Sequence, residues 1–165
     1  MQNGSSAFHG TLHRHDGSRQ ENALKTPAVM LLVLALSAGA AQAQNTPVGL
    51  WKTVDDHTGQ DKSLVRISES GGIVSGRVEK LLHPSKPNPL CDKCSDARRG
   101  RPVLGLTIIE GVRRHGEVWD DGKILDPENG KVYTVRLKLL DGGKTLQVRG
   151  YLGPFFRTQT WSRFE

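Results

Sequence analysis

The chain has 165 residues, 36% of them apolar, two cysteines and a formal charge of +6. That length excludes two well-packed domains once any processed segment is set aside. The modest positive excess suits loose contact with anionic envelope polymers or phosphate groups, and it is equally an ordinary way to stay soluble.

In chain order, residues 1–27 read as a polar leader extension, rich in Ser, Asn, His and Gly, without an apolar period and so disordered. His9, His13 and His15 resemble a metal-binding tract in composition only. From Ala28 to Ala41 only Ser37 and Gly39 are not plainly apolar, and Ala41-Gln42-Ala43 follows as a small-x-small tripeptide. This run follows Lys25, is too short to span a bilayer and reads as a signal peptide over 28–43. Cleavage near Ala43 would leave residues 44–165 as one domain in the periplasm or secreted medium. It would remove Arg14, Arg19 and Lys25 with Asp16 and Glu21, leaving a charge of +5.

The remainder alternates with period two between turn signals, which is the pattern of strands. Gly49 to Val54 is the expected opening strand. Lys62–Glu69 and Ile73–Leu82 form a hairpin through Gly71-Gly72, pairing Ser70 with Ile73 and Val65 with Val78 on an apolar face. Shorter strands follow near Leu104–Val112 and Glu117–Trp119. The cluster Asp126-Pro127-Glu128-Asn129-Gly130 is a turn that sets Ile124 opposite Tyr133. A two-residue Asp141-Gly142 turn pairs Leu137 with Leu146, Val135 with Val148 and Tyr133 with Gly150. After Gly153-Pro154, the strand Phe155–Phe164 sets Trp161 opposite Leu146, Gln159 opposite Val148 and Arg157 opposite Gly150. A one-residue slip would reverse its faces. About eight strands suit an all-β, antiparallel up-and-down barrel, with a two-sheet sandwich as the alternative.

Cys91-Asp92-Lys93-Cys94 is the motif with reactive potential. In an oxidising compartment so close a pair favours a structural disulfide that shapes the His83–Arg101 connection. A redox-active dithiol, polarised by Lys93, Arg98, Arg99 and Arg101, is the alternative, although no βαβ pattern surrounds it. A zinc site with His83 and Asp92 or Asp96 lacks paired histidine spacing. Asp120, Asp121, Asp126 and Glu128 read as turn-closing carboxylates rather than a calcium loop, and Asp55, Asp56 and Asp61 flank a Gly59 turn with His57 in solvent. No Gly-x-Ser-x-Gly elbow or phosphate-cradling glycine motif occurs. Arg98-Arg99-Gly100-Arg101 and Arg113-Arg114-His115 lack interleaved aromatics, so no nucleic-acid partner is expected. Nor is a membrane span, metal or cofactor.

The order Gly49-Leu50-Trp51, Cys91-x-x-Cys94, Gly122-Lys123-Ile124-Leu125-Asp126-Pro127, Asn129-Gly130-Lys131-x-Tyr133, Val148-Arg149-Gly150-Tyr151 and Thr158-Gln159-Thr160-Trp161-Ser162-Arg163 resembles the bacterial exported family catalogued as domain of unknown function 2147. The resemblance covers Val48 to Phe164 and implies a calycin-like, lipocalin-type barrel without an established activity. The stretch Gly153 to Arg157 is a little shorter than the family pattern. Gly-x-Trp on the first strand is also similar to lipocalins, which implies that Trp51 plugs the barrel floor beneath Arg163. The resulting expectation is a non-enzymatic container lined by Tyr133, Val135, Leu137, Leu146 and Val148. It would hold a small amphipathic molecule at Tyr133, Arg157, Gln159 and Trp161, or serve structurally beside an envelope protein or anionic polymer. The rival is a thiol-disulfide accessory protein acting through Cys91 and Cys94.

Overall fold

Alternating apolar residues give each strand one oily face, and neighbouring strands bury those faces together by closing into a barrel. The computed structural model describes residues 45–165; the leader and signal segments expected over 1–43 lie outside the described residues. Eight strands follow one another: β1 (Gly49–Val54), β2 (Asp61–Ser70), β3 (Ile73–Leu81), β4 (Thr107–His115), β5 (Val118–Leu125), β6 (Val132–Leu140), β7 (Thr145–Leu152) and β8 (Phe155–Arg163). Each pairs antiparallel with the next, and β8 returns to β1, so the sheet is a closed up-and-down barrel rather than a sandwich. Among the described residues, no helix is long and apolar enough to cross a membrane.

Most expected registers hold. Ser70 faces Ile73 and Val65 faces Val78 in the β2–β3 hairpin, and Ile124 faces Tyr133 between β5 and β6. Around Gly153-Pro154, Leu146 meets Trp161, Val148 meets Gln159 and Gly150 meets Arg157. The β6–β7 register differs by two residues: Leu137 pairs with Val148, Leu139 with Leu146 and Val135 with Gly150. The connection is a four-residue loop closed by Leu140 and Thr145, with a short 3-10 turn at Asp141–Gly143. Its cause is tertiary, because Arg163 donates from Nε to the Gly143 carbonyl at 2.7 Å and from its backbone N–H to the Lys144 carbonyl at 2.8 Å. A shift of two preserves the inside and outside of both strands.

Two strands start elsewhere than the alternation suggests. β4 begins at Thr107, because residues before it leave the sheet and return along β3, with Gly105 N–H donating to the Val78 carbonyl. β5 is one strand from Val118 to Leu125, so Asp120 and Asp121 occupy a bulge inside it rather than a turn. Asp121 has φ 64°, and a Cβ on the neighbouring Gly122 would lie 2.4 Å from Val112 Cγ2. Glycine is therefore required by close packing there.

Candidate functional site

In an up-and-down barrel, alternate connections share an end. The β1–β2, β3–β4, β5–β6 and β7–β8 loops surround one mouth, while the other hairpins and the β8–β1 closure form the floor.

Trp51 and Arg163 close that floor. Trp51 is wholly buried, its Nε1 donates to the Pro47 carbonyl at 2.7 Å, and the Arg163 Cζ lies 4.2 Å from the centre of its ring. Among the described residues the guanidinium has no carboxylate partner; instead it donates to the Gly143, Val48 and Thr46 carbonyls. Burial pulls its pKa below the ordinary arginine value. A flat guanidinium over the indole face adds a cation-π attraction to these bonds.

Above the floor the interior is filled. Val135, Leu137 and Leu146 pack with Trp51, Ile67 and Ile109 in one continuous core. They are wholly buried and do not line the open space, contrary to the expected container wall. Bulky neighbours such as Trp51, Ile67 and Ile109 occupy that volume. Tyr133, Val148, Arg157, Gln159 and Trp161 do line a cavity of about 540 Å³ at the mouth. Val78, Leu81, Ile108 and Leu125 form more of its apolar wall, with His83, Pro84, Pro89 and Leu90 of the β3–β4 connection beside them.

The inward polar groups of β8 form a ladder toward this opening. Trp161 Nε1 donates to Gln159 Oε1 at 2.8 Å, and Gln159 Nε2 donates to Asp56 Oδ2 at 2.7 Å. Asp56 also pairs with Arg157, whose second nitrogen lies 3.6 Å from Asp126 Oδ2. Asn129 Nδ2 then donates to Asp126 Oδ2 at 2.7 Å and to the Tyr133 hydroxyl at 3.1 Å. All four residues assigned to ligand contact therefore meet at one network. Sequence reasoning missed Asp56, Asp126 and Asn129, which it read as turn formers. Their loops' odd-numbered place in the hairpin order is the signal that puts them at this mouth. Deeper on the cavity wall, the buried Thr53 and Ser63 hydroxyls satisfy one another at 2.8 Å.

Carboxylates outnumber cations here. Lys62 is 3.4 Å from Asp55 and 2.6 Å from Glu128, while Arg157 is held by Asp56 and Asp126. Lys62 and Arg157 are thus neutralised from within the protein, while the exposed Lys93 at the rim has no carboxylate partner among the described residues.

Cys91 and Cys94 form a disulfide, with Cα atoms 5.4 Å apart. Both are buried, at 0% and 2% exposure, under a connection tied by Cys91 N–H to the Arg101 carbonyl and Gly100 N–H to the Cys91 carbonyl. A sulfur bonded to sulfur is no zinc ligand, and thiol exchange proceeds by attack on a sulfur, which the burial of both residues disfavours. Of the cations expected to polarise the pair, Arg98 is engaged by Asp96. Among the described residues, one group with metal-ligand chemistry converges: His115, Asp120 and Asp121. It lies at the opposite end of β4 and β5 from the mouth, where Asp120 also binds Arg136 at 3.1 Å.

Among solved structures, the chain is similar to one described as "Protein HP1028 from the human pathogen Helicobacter pylori belongs to the lipocalin family". The identity is 18% and the TM-score 0.62, over 73% of this chain and 84% of that one, a likeness of fold. No curated protein matches. Residues 49–163 match the model of a family described as "Uncharacterized protein conserved in bacteria (DUF2147)", and the chain belongs to that family.

Proposed function

We propose that this protein is an exported, non-enzymatic container for one small amphipathic molecule whose polar end is neutral or cationic. The observation that carries this reading is the cavity of about 540 Å³ at the barrel mouth, apolar below and hydrogen-bonding above. Small-molecule sites commonly enclose about 300–1,000 Å³ with apolar walls and a few convergent polar groups. The apolar part would rest against Val78, Ile108 and Val148, and the polar end would meet Tyr133, Gln159 and the Arg157–Asp56 pair. Because Arg157 and Lys62 already have carboxylate partners, an anionic headgroup placed beside Gln159 and Tyr133 would have to displace one of them. An ammonium or hydroxyl end needs no such exchange. The apolar run at 28–41 supports export, and an oxidising compartment suits the disulfide.

Dodecylamine and laurate, each below its micelle concentration, test both parts by thermal unfolding. Dodecylamine is expected to raise the Tm and laurate to raise it less. Leu81→Trp, which fills partly open space at the wall, is expected to remove the amine's effect. Failure of both probes and of neutral monolaurin to raise the Tm would overturn the container reading. A larger shift with laurate would overturn the assigned headgroup.

A further inference from the structure

The tip of the β7–β8 hairpin exposes large apolar side chains on both of its faces. Phe155 is 75% exposed and Phe156 63%, with Leu152 beside them at 44%. Successive strand residues point to opposite sides, so Leu152 and Phe155 overhang the mouth while Phe156 points away from it, 6.2 Å from Tyr151 between ring centres. A flat partner surface covers only one face of such a tip, whereas a medium that surrounds it covers both.

The charge behind the tip selects that medium. Strands β6, β7 and β8 contain no Asp or Glu, and their outward positions carry Lys138 and Arg149 together with Arg136, the last paired with Asp120 of β5. Arg149 stands at the boundary, its guanidinium 5.0 Å from the centre of the Phe156 ring. The mouth carboxylates belong to the other loops. Aromatic side chains at an extremity, with cations set back along the adjoining face, match the layering of apolar interior and anionic headgroups in a bilayer.

We infer that this protein docks on anionic lipid bilayers, the β7–β8 tip entering the interface and the acid-free outer face of β6–β8 lying against the headgroups. The docking does not depend on the cavity being filled. It would bring the cavity mouth, which shares Tyr133, Gly150 and Arg157 with the hollow under Phe155 and Phe156, to the edge of the bilayer.

The test is sedimentation of the full chain with phosphatidylethanolamine vesicles containing about a quarter phosphatidylglycerol, against all-phosphatidylcholine vesicles. Residues 28–41 are themselves apolar, so the decisive readout is local: an environment-sensitive dye on Leu152→Cys, labelled with the native disulfide intact. The dye is expected to shift to the blue with anionic vesicles and less with zwitterionic ones or in high salt. L152S/F155S/F156S is expected to weaken the sedimenting affinity at least about tenfold, and K138Q/R149Q to remove most of the preference for anionic lipid. Unchanged melting curves would establish that both variants fold. A dye that stays in water while the protein sediments would overturn the inference. So would equal binding to soluble polyphosphate that ignores the tip, or a lipid-free dimer that the tip substitutions dissociate.

Discussion

Arg163 ties several parts of the barrel's closure together. It covers Trp51 and binds carbonyls from two separate stretches of chain, the segment before β1 and the β6–β7 loop. Arg163→Ala should therefore destabilise the protein by about 2–4 kcal/mol in urea unfolding, from the lost cation-π contact and carbonyls left without their donor. Arg163→Lys should recover little of this, because one ammonium cannot reproduce the planar fork. At the other end, Asp55 organises the β1–β2 loop. Its pKa is lowered to about 2, first by the Thr58 backbone N–H and hydroxyl, then by the His57 N–H and Lys62, with partial burial opposing them. A folded pKa below the unfolded one means that this contribution is complete above about pH 4 and lost as the pH falls toward 2. Carboxyl NMR should show the low Asp55 midpoint, and Thr58→Ala should move it upward.

At the scale of elements, the β3–β4 connection is a folded cap rather than a slack loop. It is clipped by the Cys91–Cys94 disulfide and seated on the β5–β6 turn, where a Cβ on Gly130 would lie 1.9 Å from the Lys93 carbonyl oxygen. With φ at 72° as well, Gly130→Ala should cost about 2–4 kcal/mol in unfolding measurements and lift the cap from the turn. The disulfide closes so short a loop that chain entropy assigns it only about 2 kcal/mol. C91S/C94S should accordingly keep the barrel's far-ultraviolet dichroism. Hydrogen exchange should accelerate over residues 89–103 and remain slow in β6 and β7. Global unfolding in that variant would show that the cap holds the barrel shut.

At the scale of the molecule, the barrel's stability is uneven around its circumference. β7 and β8 pair over eight positions from Thr145–Ser162 to Leu152–Phe155, whereas β1 and β8 pair only at Trp51–Arg163 and Lys52–Ser162. The seam is extended by Phe164 N–H donating to the Leu50 carbonyl and Leu50 N–H donating to the Glu165 carbonyl. Native-state hydrogen exchange should therefore open β1 and the end of β8 before the β5–β7 sheet. Exchange as a single unit would show instead that the Trp51 plug couples the seam to the whole core.

Local chemistry determined much of this architecture. Period-two alternation set which side chains face inward, and compact turns at Gly71-Gly72, Asp126–Gly130 and Gly153-Pro154 set three registers, because tight loops leave the strands little freedom to slide. The inward direction of Arg157, Gln159 and Trp161 followed from the last of these. Asp141-Gly142 misled because Arg163, distant in sequence, holds a longer loop through Gly143 and Lys144. Only the closed barrel decided which inward residues meet one another. Alternation tells in from out but carries no height along the axis, so it could not separate the filled layer of Val135, Leu137 and Leu146 from the open space beside Tyr133 and Val148. Nor could it bring Asp56 to Arg157 and Gln159, since that contact joins the β1–β2 loop to a strand about a hundred residues away and exists only once β8 has closed against β1.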